Sequence, residues 1–485
     1  MDVIGGIANF LANEVLNVPA FVVGIMVLVG LLALRKPIGE VIGGTLKTIL
    51  GFLILGIGAT AVVGALTPLG TMILKVFNAN GVVPTNEAIT AIVSQNSTIF
   101  ANVSWVMLVG FVVNLVLARF TPMKYIFLTG HHILFMATML AVVLFTANIT
   151  GFPEVLTGGI LLGVIMVVMP TLGQPFMRKV TGGQPVAIGH FGTLGYIAGG
   201  FAGKWFGMGS RSTEEMSFPK SWNFLRDAMV ATAVAMAVIY TVFAIWYAQV
   251  ASPDEVAAIT SGSGHNDLIV FGIVQALVFA GGVAVILLGV RTFLAEIVPA
   301  FAGIASRIVP DALPALDCPV TFPFAPNAVL IGFIASFAGG LISLGILGLT
   351  GGLGLALALI LPGMVPHFFT GGTAGVFGNA TGGRVGAVLG GFVNGVFITF
   401  LPAFLLKVMT GLGYQNTTYG DADFGWFGIV VGNVAQVDKS GGLIVYALLA
   451  VVVVVLLALA WWVQTQIVGT QHYEEMAEQS EAAAS

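Results

Sequence analysis

Apolar runs of roughly 20 residues recur along this chain, and a run of that length matches the hydrocarbon core of a bilayer. Only 8% of the residues are charged, which is too few to solvate the surface of a soluble protein of this size. We therefore predict an all-α polytopic membrane protein with about eleven transmembrane helices. The predicted spans cover residues 16–34, 39–65, 104–118, 125–148, 152–172, 227–250, 267–290, 327–345, 346–362, 385–403 and 442–464.

Lysine and arginine positions orient these helices, because cytoplasmic loops carry an excess of both. Basic pairs such as Arg35 with Lys36 and Arg178 with Lys179 fall on one side, whereas the loop 252–267 on the other side has acids and neither Lys nor Arg. The pattern predicts an N-terminus outside and a C-terminus in the cytoplasm. We expect a single transporter domain over residues 1–465, followed by an acidic cytoplasmic tail over 466–485.

One stretch between apolar runs, residues 309–329, cannot be a continuous helix. It contains five prolines, each of which removes an amide donor and clashes with the preceding turn. It also carries Asp311 and Asp317. Irregular backbone at membrane depth is tolerated only where it is buried in protein or lines a wet cavity. This stretch is the first candidate for a solute site.

Three further segments are predicted to interrupt the pattern of simple spans. Residues 171–196 and 363–384 are rich in glycine and hold one histidine each, and we interpret both as re-entrant or loop segments. Residues 293–309 place polar side chains among apolar ones and are predicted to form an interfacial amphipathic helix.

A polar group within an apolar run needs a reason, because burying a charge in a bilayer costs at least ~2.5 kcal/mol. His131, His190 and Asp317 are the candidates for solute contact. For His132 a hydrogen bond between helices is the alternative, and Asp317 has the alternative of capping a half-helix. His367 is expected to tie down the second glycine-rich segment.

Several kinds of chemistry are excluded by the sequence. It has no Walker A pattern for ATP, no HExxH spacing, and a single cysteine, so neither a metal site nor a cofactor is expected. No basic run suggests a nucleic-acid partner. Cys318 is not followed by a glycine-rich loop that could cradle a phosphate. We expect a small buried residue there, and no phosphorylated residue in the chain.

Five sequence motifs resemble the ascorbate-specific membrane component (enzyme IIC) of the phosphoenolpyruvate-dependent sugar phosphotransferase system. They are LRKPIGEVIGGTLKTILGF near the start, FLTGHH, AIGHFG, and PALDCPVTFPFAPNAVLIGF with GVRTFLAEI before it. The resemblance covers nearly the whole chain.

This resemblance implies a homodimer in the bacterial inner membrane, surrounded by lipid, in which a dimerising scaffold of paired helices supports a mobile core. The core would carry L-ascorbate, or a related sugar acid or polyol, across the membrane by an elevator-type movement. A separate cytoplasmic IIB subunit, itself supplied with phosphate by IIA, would then phosphorylate the solute. In this chain we expect transport, with phosphoryl transfer left to the partner.

The resemblance also implies the solute contacts, which fall on Asn86, Glu87, His131, His132, Ile133, Leu134, Phe135, His190, Phe191 and Asp317. The family pattern has glutamine where this chain has Phe135 and Phe191, and tyrosine where it has Asn86. Without the resemblance, Asn86 and Glu87 would be interpreted as a solvated turn in an outer loop.

Other functional classes remain as alternatives. The first is an ion-coupled secondary transporter of a small polar solute, in which Asp317 and a histidine form the proton relay. A passive channel and a purely structural membrane scaffold are the others. The scaffold gives no reason to hold Asp317 and His190 among apolar runs.

Overall fold

The computed structural model describes residues 14, 19–77, 82–84, 86, 89–90, 93, 97–216, 228–261, 267–307, 309–350, 357–409, 417–438 and 442–470. Glu87 lies outside the described residues, as does most of the acidic tail. The described chain is almost entirely helical, which confirms the predicted class. The helices are α1 (Pro19–Ala33), α2 (Ile38–Phe77), α3 (Ser97–Phe120), α4 (Gly130–Thr146), α5 (Phe152–Thr181), α6 (Thr193–Phe206), α7 (Ala228–Val250), α8 (Pro253–Thr260), α9 (Leu268–Arg307), α10 (Pro326–Thr350), α11 (Gly372–Val408), α12 (Ala422–Ala435) and α13 (Leu443–Trp462).

Shorter elements connect these helices. Turns of 3-10 helix occupy Thr213–Glu215 and Cys318–Phe324, and a helical turn at Met364–Pro366 precedes α11. Turns of π-helix occupy His367–Gly371, also before α11, and Val463–Val468, after α13. Five short strands complete the described structure, namely β1 (Val83–Pro84), β2 (Tyr125–Phe127), β3 (Ala187–Ile188), β4 (Leu313–Leu316) and β5 (Thr417–Thr418).

Four helical stretches within the described residues are long and apolar enough to cross a membrane, judged by length and composition. They are Phe152–Thr181, Pro326–Leu349, His367–Val408 and Leu443–Val468. The total of about eleven spans stays a prediction. One span is wrong, because residues 357–359 and 361–363 are not helical and Ile360 forms a β-bridge with Val82.

The first glycine-rich segment is more helical than predicted. Residues 171–181 belong to α5, which continues through Pro170 and Pro175. The chain leaves the helix only at Gly182, whose left-handed backbone ends α5. The irregular part is therefore confined to residues 182–192, around β3.

The second glycine-rich segment, predicted to be re-entrant or a loop, forms the first arm of a helical hairpin and the break that follows it. It is helical from residue 364, and the chain leaves helical geometry only at Gly382 and Gly383, where Gly383 has a φ of 57°. Across this break the backbones of Gly378 and Gly386 touch, so that a methyl group on Gly378 would collide with the Gly386 carbonyl oxygen. The two arms therefore run antiparallel, and the stretch His367–Val408 is not one straight span.

Residues 293–307 also differ from prediction. They continue α9, which is 40 residues long, and do not form a separate interfacial helix. Helix α2 is equally long, and the two pack against each other together with α1 and α7. The remaining long helices pack as a second group, in which α6 and α10 lie against the arms of α11.

Two small sets of parallel strands join segments that are far apart in the sequence. In the first, β4 lies between β2 and β3, with Phe127 opposite Ala315 and Ile188 opposite Leu316. In the second, β1 pairs with β5, and Val82 bridges to Ile360 beside them. Because parallel strands end at the same edge, the residues that follow them are brought together.

Candidate functional site

Polar side chains follow each strand of the first set. His131 and His132 begin α4 just after β2, His190 follows β3, and Asp317 follows β4. The shared edge brings them together: His131 Nε2 lies 3.4 Å from Asp317 Oδ2, and His190 Nε2 lies 3.7 Å from Asp317 Oδ1. We call these four residues the binding edge. Three separate segments thus meet around the Asp317 carboxylate.

Asp317 has the capping role considered from the sequence, whereas its contact with a solute stays a prediction. Its Oδ1 accepts a hydrogen bond of 2.7 Å from the backbone N–H of Cys318 and so caps the 3-10 helix Cys318–Phe324. Its Oδ2 faces His131. The side chain is 11% exposed, whereas that of His131 is 30% exposed. The carboxylate is therefore fixed at one oxygen and approachable on the side of His131.

The other two histidines are buried and held by the protein. His132 Nδ1 accepts from the backbone N–H of Phe191 at 3.4 Å, and its ring lies 3.8 Å from that of His190. The Tyr196 hydroxyl lies 2.7 Å from His190 Nδ1. His132 thus bonds to the irregular segment 182–192 rather than to another helix, and Tyr196 fixes the orientation of the His190 ring.

A second set of polar groups follows the second strand set. Asn86 Nδ2 donates to Asp421 Oδ2 at 2.9 Å, and the backbone N–H of Gly420 donates to Asn86 Oδ1 at 2.8 Å. Asp421 Oδ2 is 4.0 Å from His132 Nε2. We call Asn86, Asp421 and Asp423 the clamp edge. Asn86 is buried, so the interpretation as a solvated turn is wrong for it.

Asp423 connects the clamp edge to the segment that carries His190. It is fully buried and accepts from the backbone N–H groups of Thr193 at 2.8 Å and Leu194 at 3.0 Å. The indole N–H of Trp426 donates to it at 2.9 Å. Its own backbone N–H donates to the Phe191 carbonyl at 2.9 Å. A carboxylate at the start of α6 is favourable, because helix N-termini present unpaired donors.

Sequence reasoning missed Tyr196, Asp421 and Asp423. The two aspartates stand in YGDADFGWF, among apolar residues. Asp317 was selected because an acid among apolar residues is costly to bury and so indicates a function. The same rule applies to these two aspartates. Tyr196 gave no such signal, since its contact with His190 depends on the fold of residues 189–196.

The remaining predicted contacts are mostly apolar and buried. Phe135 lies 5.8 Å from the rings of both His131 and His132, so it borders the binding edge. Phe191 is fully buried and stacks on Phe127 at 4.7 Å. Ile133 is buried, and Leu134 is partly buried, within a hydrophobic cluster. As solute contacts these residues stay predictions.

His367 lies apart from both edges. It is buried, and its Nδ1 is 2.8 Å from the Ser336 hydroxyl on α10. This contact ties the start of the hairpin to α10, in line with the structural role expected for it.

Metal-ligating atoms also come together at the binding edge. In the described part of the chain, three groups of donor atoms lie within 4.8 Å of one another. They are His131, His132 and Asp317; His132, His190 and Asp421; and His190, Asp317 and Cys318. No sequence motif indicated them, because the donors come from segments that only the fold unites.

Comparison with known proteins agrees with the resemblance. The family described as "PTS system sugar-specific permease component" matches residues 14–423, a range that includes both edges. The chain is also similar to the "Ascorbate-specific PTS system EIIC component" of Mycoplasma pneumoniae, with 27% identity over 453 residues. That similarity covers 84% of this chain and 68% of the relative.

Proposed function

The chain belongs to the family of sugar-specific permease components of the phosphotransferase system, and we propose that it takes up L-ascorbate or a related sugar acid or polyol. Solute binding is assigned to the binding edge. The observation that carries the proposal is the convergence of His131 and His190 on Asp317, with His131 partly exposed. The similarity to an ascorbate-specific relative supports the choice of solute.

The chemistry of the binding edge suits a hydroxyl-rich solute. An ionised carboxylate accepts hydrogen bonds, and a neutral histidine both donates and accepts. The separations of 3.4 and 3.7 Å between Asp317 and its histidines exceed the ~2.7–3.2 Å of a good N–H···O bond. Solute hydroxyls can therefore improve the hydrogen bonding of these groups. Asn86 and Glu87, His132 to Phe135, and Phe191 complete the proposed contacts.

Uptake becomes one-way when the solute is phosphorylated on the cytoplasmic side. The sequence provides no phosphate carrier of its own, so a separate IIB subunit, supplied by IIA, is the proposed donor. The solute then meets that partner after the binding edge has moved inward. We expect the N-terminus outside and the C-terminus in the cytoplasm, in a bacterial inner membrane.

Movement is assigned to the second group of helices. The first group, α1, α2, α7 and α9, packs along the two 40-residue helices, and a long rigid pair suits a dimerising scaffold. The second group carries both edges. An elevator-type shift of this group within a homodimer would carry the binding edge as one unit.

The test is uptake of radiolabelled ascorbate by cells that lack their own system, with and without the IIA and IIB partners, followed by identification of the internal product. We expect label to accumulate only with the partners, and as a phosphate ester. Accumulation of unmodified ascorbate that collapses with the proton gradient would identify an ion-coupled transporter instead. No uptake in either case would show that ascorbate is not the solute.

A further inference from the structure

A thiol lies beside the binding edge and has no role in the proposed uptake. Cys318 follows Asp317 directly, is 1% exposed, and is the only cysteine in the sequence. Donor atoms of Cys318, His190 and Asp317 lie within 4.8 Å of one another. We propose that these three groups form a site for a soft divalent cation such as Zn²⁺ or Cd²⁺, and that His131 lies at its entrance.

The donor separations are close to those of a real metal site. Bonds of about 2.0–2.1 Å in tetrahedral geometry place two nitrogen or oxygen ligands about 3.3 Å apart. His190 Nε2 lies 3.7 Å from Asp317 Oδ1, so a small side-chain shift brings this pair to that distance. Thiolate sulfur with imidazole nitrogen selects zinc-like metals over magnesium or calcium, which prefer oxygen ligands.

The outer contacts also fit metal ligation. A ligating histidine usually donates its second ring N–H to an oxygen, and the Tyr196 hydroxyl lies 2.7 Å from His190 Nδ1. With that N–H directed at Tyr196, the Nε2 lone pair faces Asp317. Asp317 is itself held by the Cys318 N–H.

His132 does not belong to the set, although it lies close to it. Its Nδ1 accepts a hydrogen bond from the Phe191 N–H, so the neutral ring carries its proton on Nε2. That nitrogen faces Asp421 and has no lone pair for a cation. The tautomer of His132 therefore excludes it from the proposed ligands.

A cation would enter from the side of His131, which is more exposed than any of the three proposed ligands. The solute is assigned to the same side, so cation and solute should compete. This competition rests on the proposed function, whereas binding of the cation does not. Metal–sulfur bond formation replaces the S–H bond and releases one proton to solvent. Affinity should therefore rise with pH while the free thiol is protonated.

The experiment is a titration of the purified full-length protein with CdCl₂, following the ultraviolet thiolate-to-cadmium charge-transfer band. Because the chain has one cysteine, the band reports Cys318 alone. We expect one Cd²⁺ per chain and no band in Cys318→Ser. His190→Gln and Asp317→Asn should each weaken binding about tenfold or more, whereas His472→Gln, in the acidic tail, should match the wild type.

Absence of a band in the wild type would overturn the proposal. Equal affinity in His190→Gln and Asp317→Asn would overturn it as well, since the thiol would then bind alone. If those variants do not fold, uptake supplies the second measurement: Cys318→Ser should transport normally and resist block by Cd²⁺. Block of both proteins at the same concentration would contradict the site. If the wild type takes up no ascorbate in the absence of metal, that result contradicts the proposed function. The cadmium titration still tests the cation site in that case.

Discussion

The binding edge and the clamp edge are built alike and differ in how their polar groups are satisfied. Both consist of residues that follow short parallel strands. At the clamp edge, Asp423 accepts three hydrogen bonds of 2.8–3.0 Å and Asn86 both donates and accepts. At the binding edge, Asp317 accepts one hydrogen bond of 2.7 Å from the Cys318 N–H and is 3.4 and 3.7 Å from its histidines.

This difference separates two functions that residue type alone does not distinguish. An aspartate whose hydrogen bonds are all made within the protein holds segments in place, because its loss would leave buried donors unpaired, which is costly. An aspartate with loosely placed neighbours and an exposed side can accept groups from a solute. Substitutions at the two edges should therefore fail in different ways.

The largest expected effect is loss of stability at the clamp edge. Asp423→Ala removes the acceptor of three donors, namely the N–H groups of Thr193, Leu194 and Trp426, and each unpaired buried donor costs about 1–3 kcal/mol. We expect little folded protein, and a milder loss in Asp423→Asn, which keeps one acceptor oxygen. Melting temperature and size-exclusion profile in detergent measure this, with the exposed Asp254→Asn as control. An unchanged melting temperature in Asp423→Ala would contradict the structural role assigned to the clamp edge.

Uptake should fail next, at the binding edge, with a smaller loss of stability than in Asp423→Ala. Asp317→Asn and His190→Ala should abolish transport, since a hydrogen bond to a charged group contributes about 1.5–3 kcal/mol, or about 10- to 150-fold in affinity. Initial uptake rates over a range of solute concentrations measure the effect. Normal uptake by both variants would remove the proposed site.

A smaller effect should sharpen the choice of solute. Phe135 borders His131 and His132, and Phe135→Gln adds an amide there. If ascorbate binds at this edge, one new hydrogen bond should tighten its apparent affinity about two- to tenfold. Competition uptake against polyols and sugar acids measures it. Weaker binding of ascorbate with stronger binding of a competitor would point to that competitor as the solute.

The smallest effect is expected at Cys318. Without added metal, Cys318→Ser should transport within about twofold of the wild type, the range of a substitution that removes no essential contact. The same assay with IIB present follows phosphoryl transfer. Loss of transfer in this variant would show that the thiol carries phosphate, contrary to the expectation from the sequence.

Much of the binding edge was predictable from the sequence, because one rule selects it. Charged or titratable groups in apolar runs are costly, and that rule identified His131, His190 and Asp317. The clamp edge depends on pairing between segments more than 300 residues apart, as in Asn86 with Asp421. No local pattern encodes such a pairing, although the acids themselves were visible.

The fold was predictable where apolar length decides the structure, and less so where glycine and proline are dense. Isolated helices lose stability at both residues, which favoured re-entrant or loop segments over 171–196 and 363–384. In the folded chain, glycines let helices approach closely: a methyl group on Gly199 of α6 would lie 3.1 Å from the Gly390 Cα on α11. Such packing stabilises helices that their own propensity disfavours.

The most direct test combines two readouts on the same purified preparations of wild type, Asp317→Asn and Asp423→Asn: equilibrium binding of radiolabelled ascorbate and the melting temperature. We predict that Asp317→Asn loses ascorbate binding and melts near the wild type, whereas Asp423→Asn melts at a clearly lower temperature. Wild-type affinity in Asp317→Asn would contradict the assignment of solute binding to this edge, as would a fall in its melting temperature equal to that of Asp423→Asn.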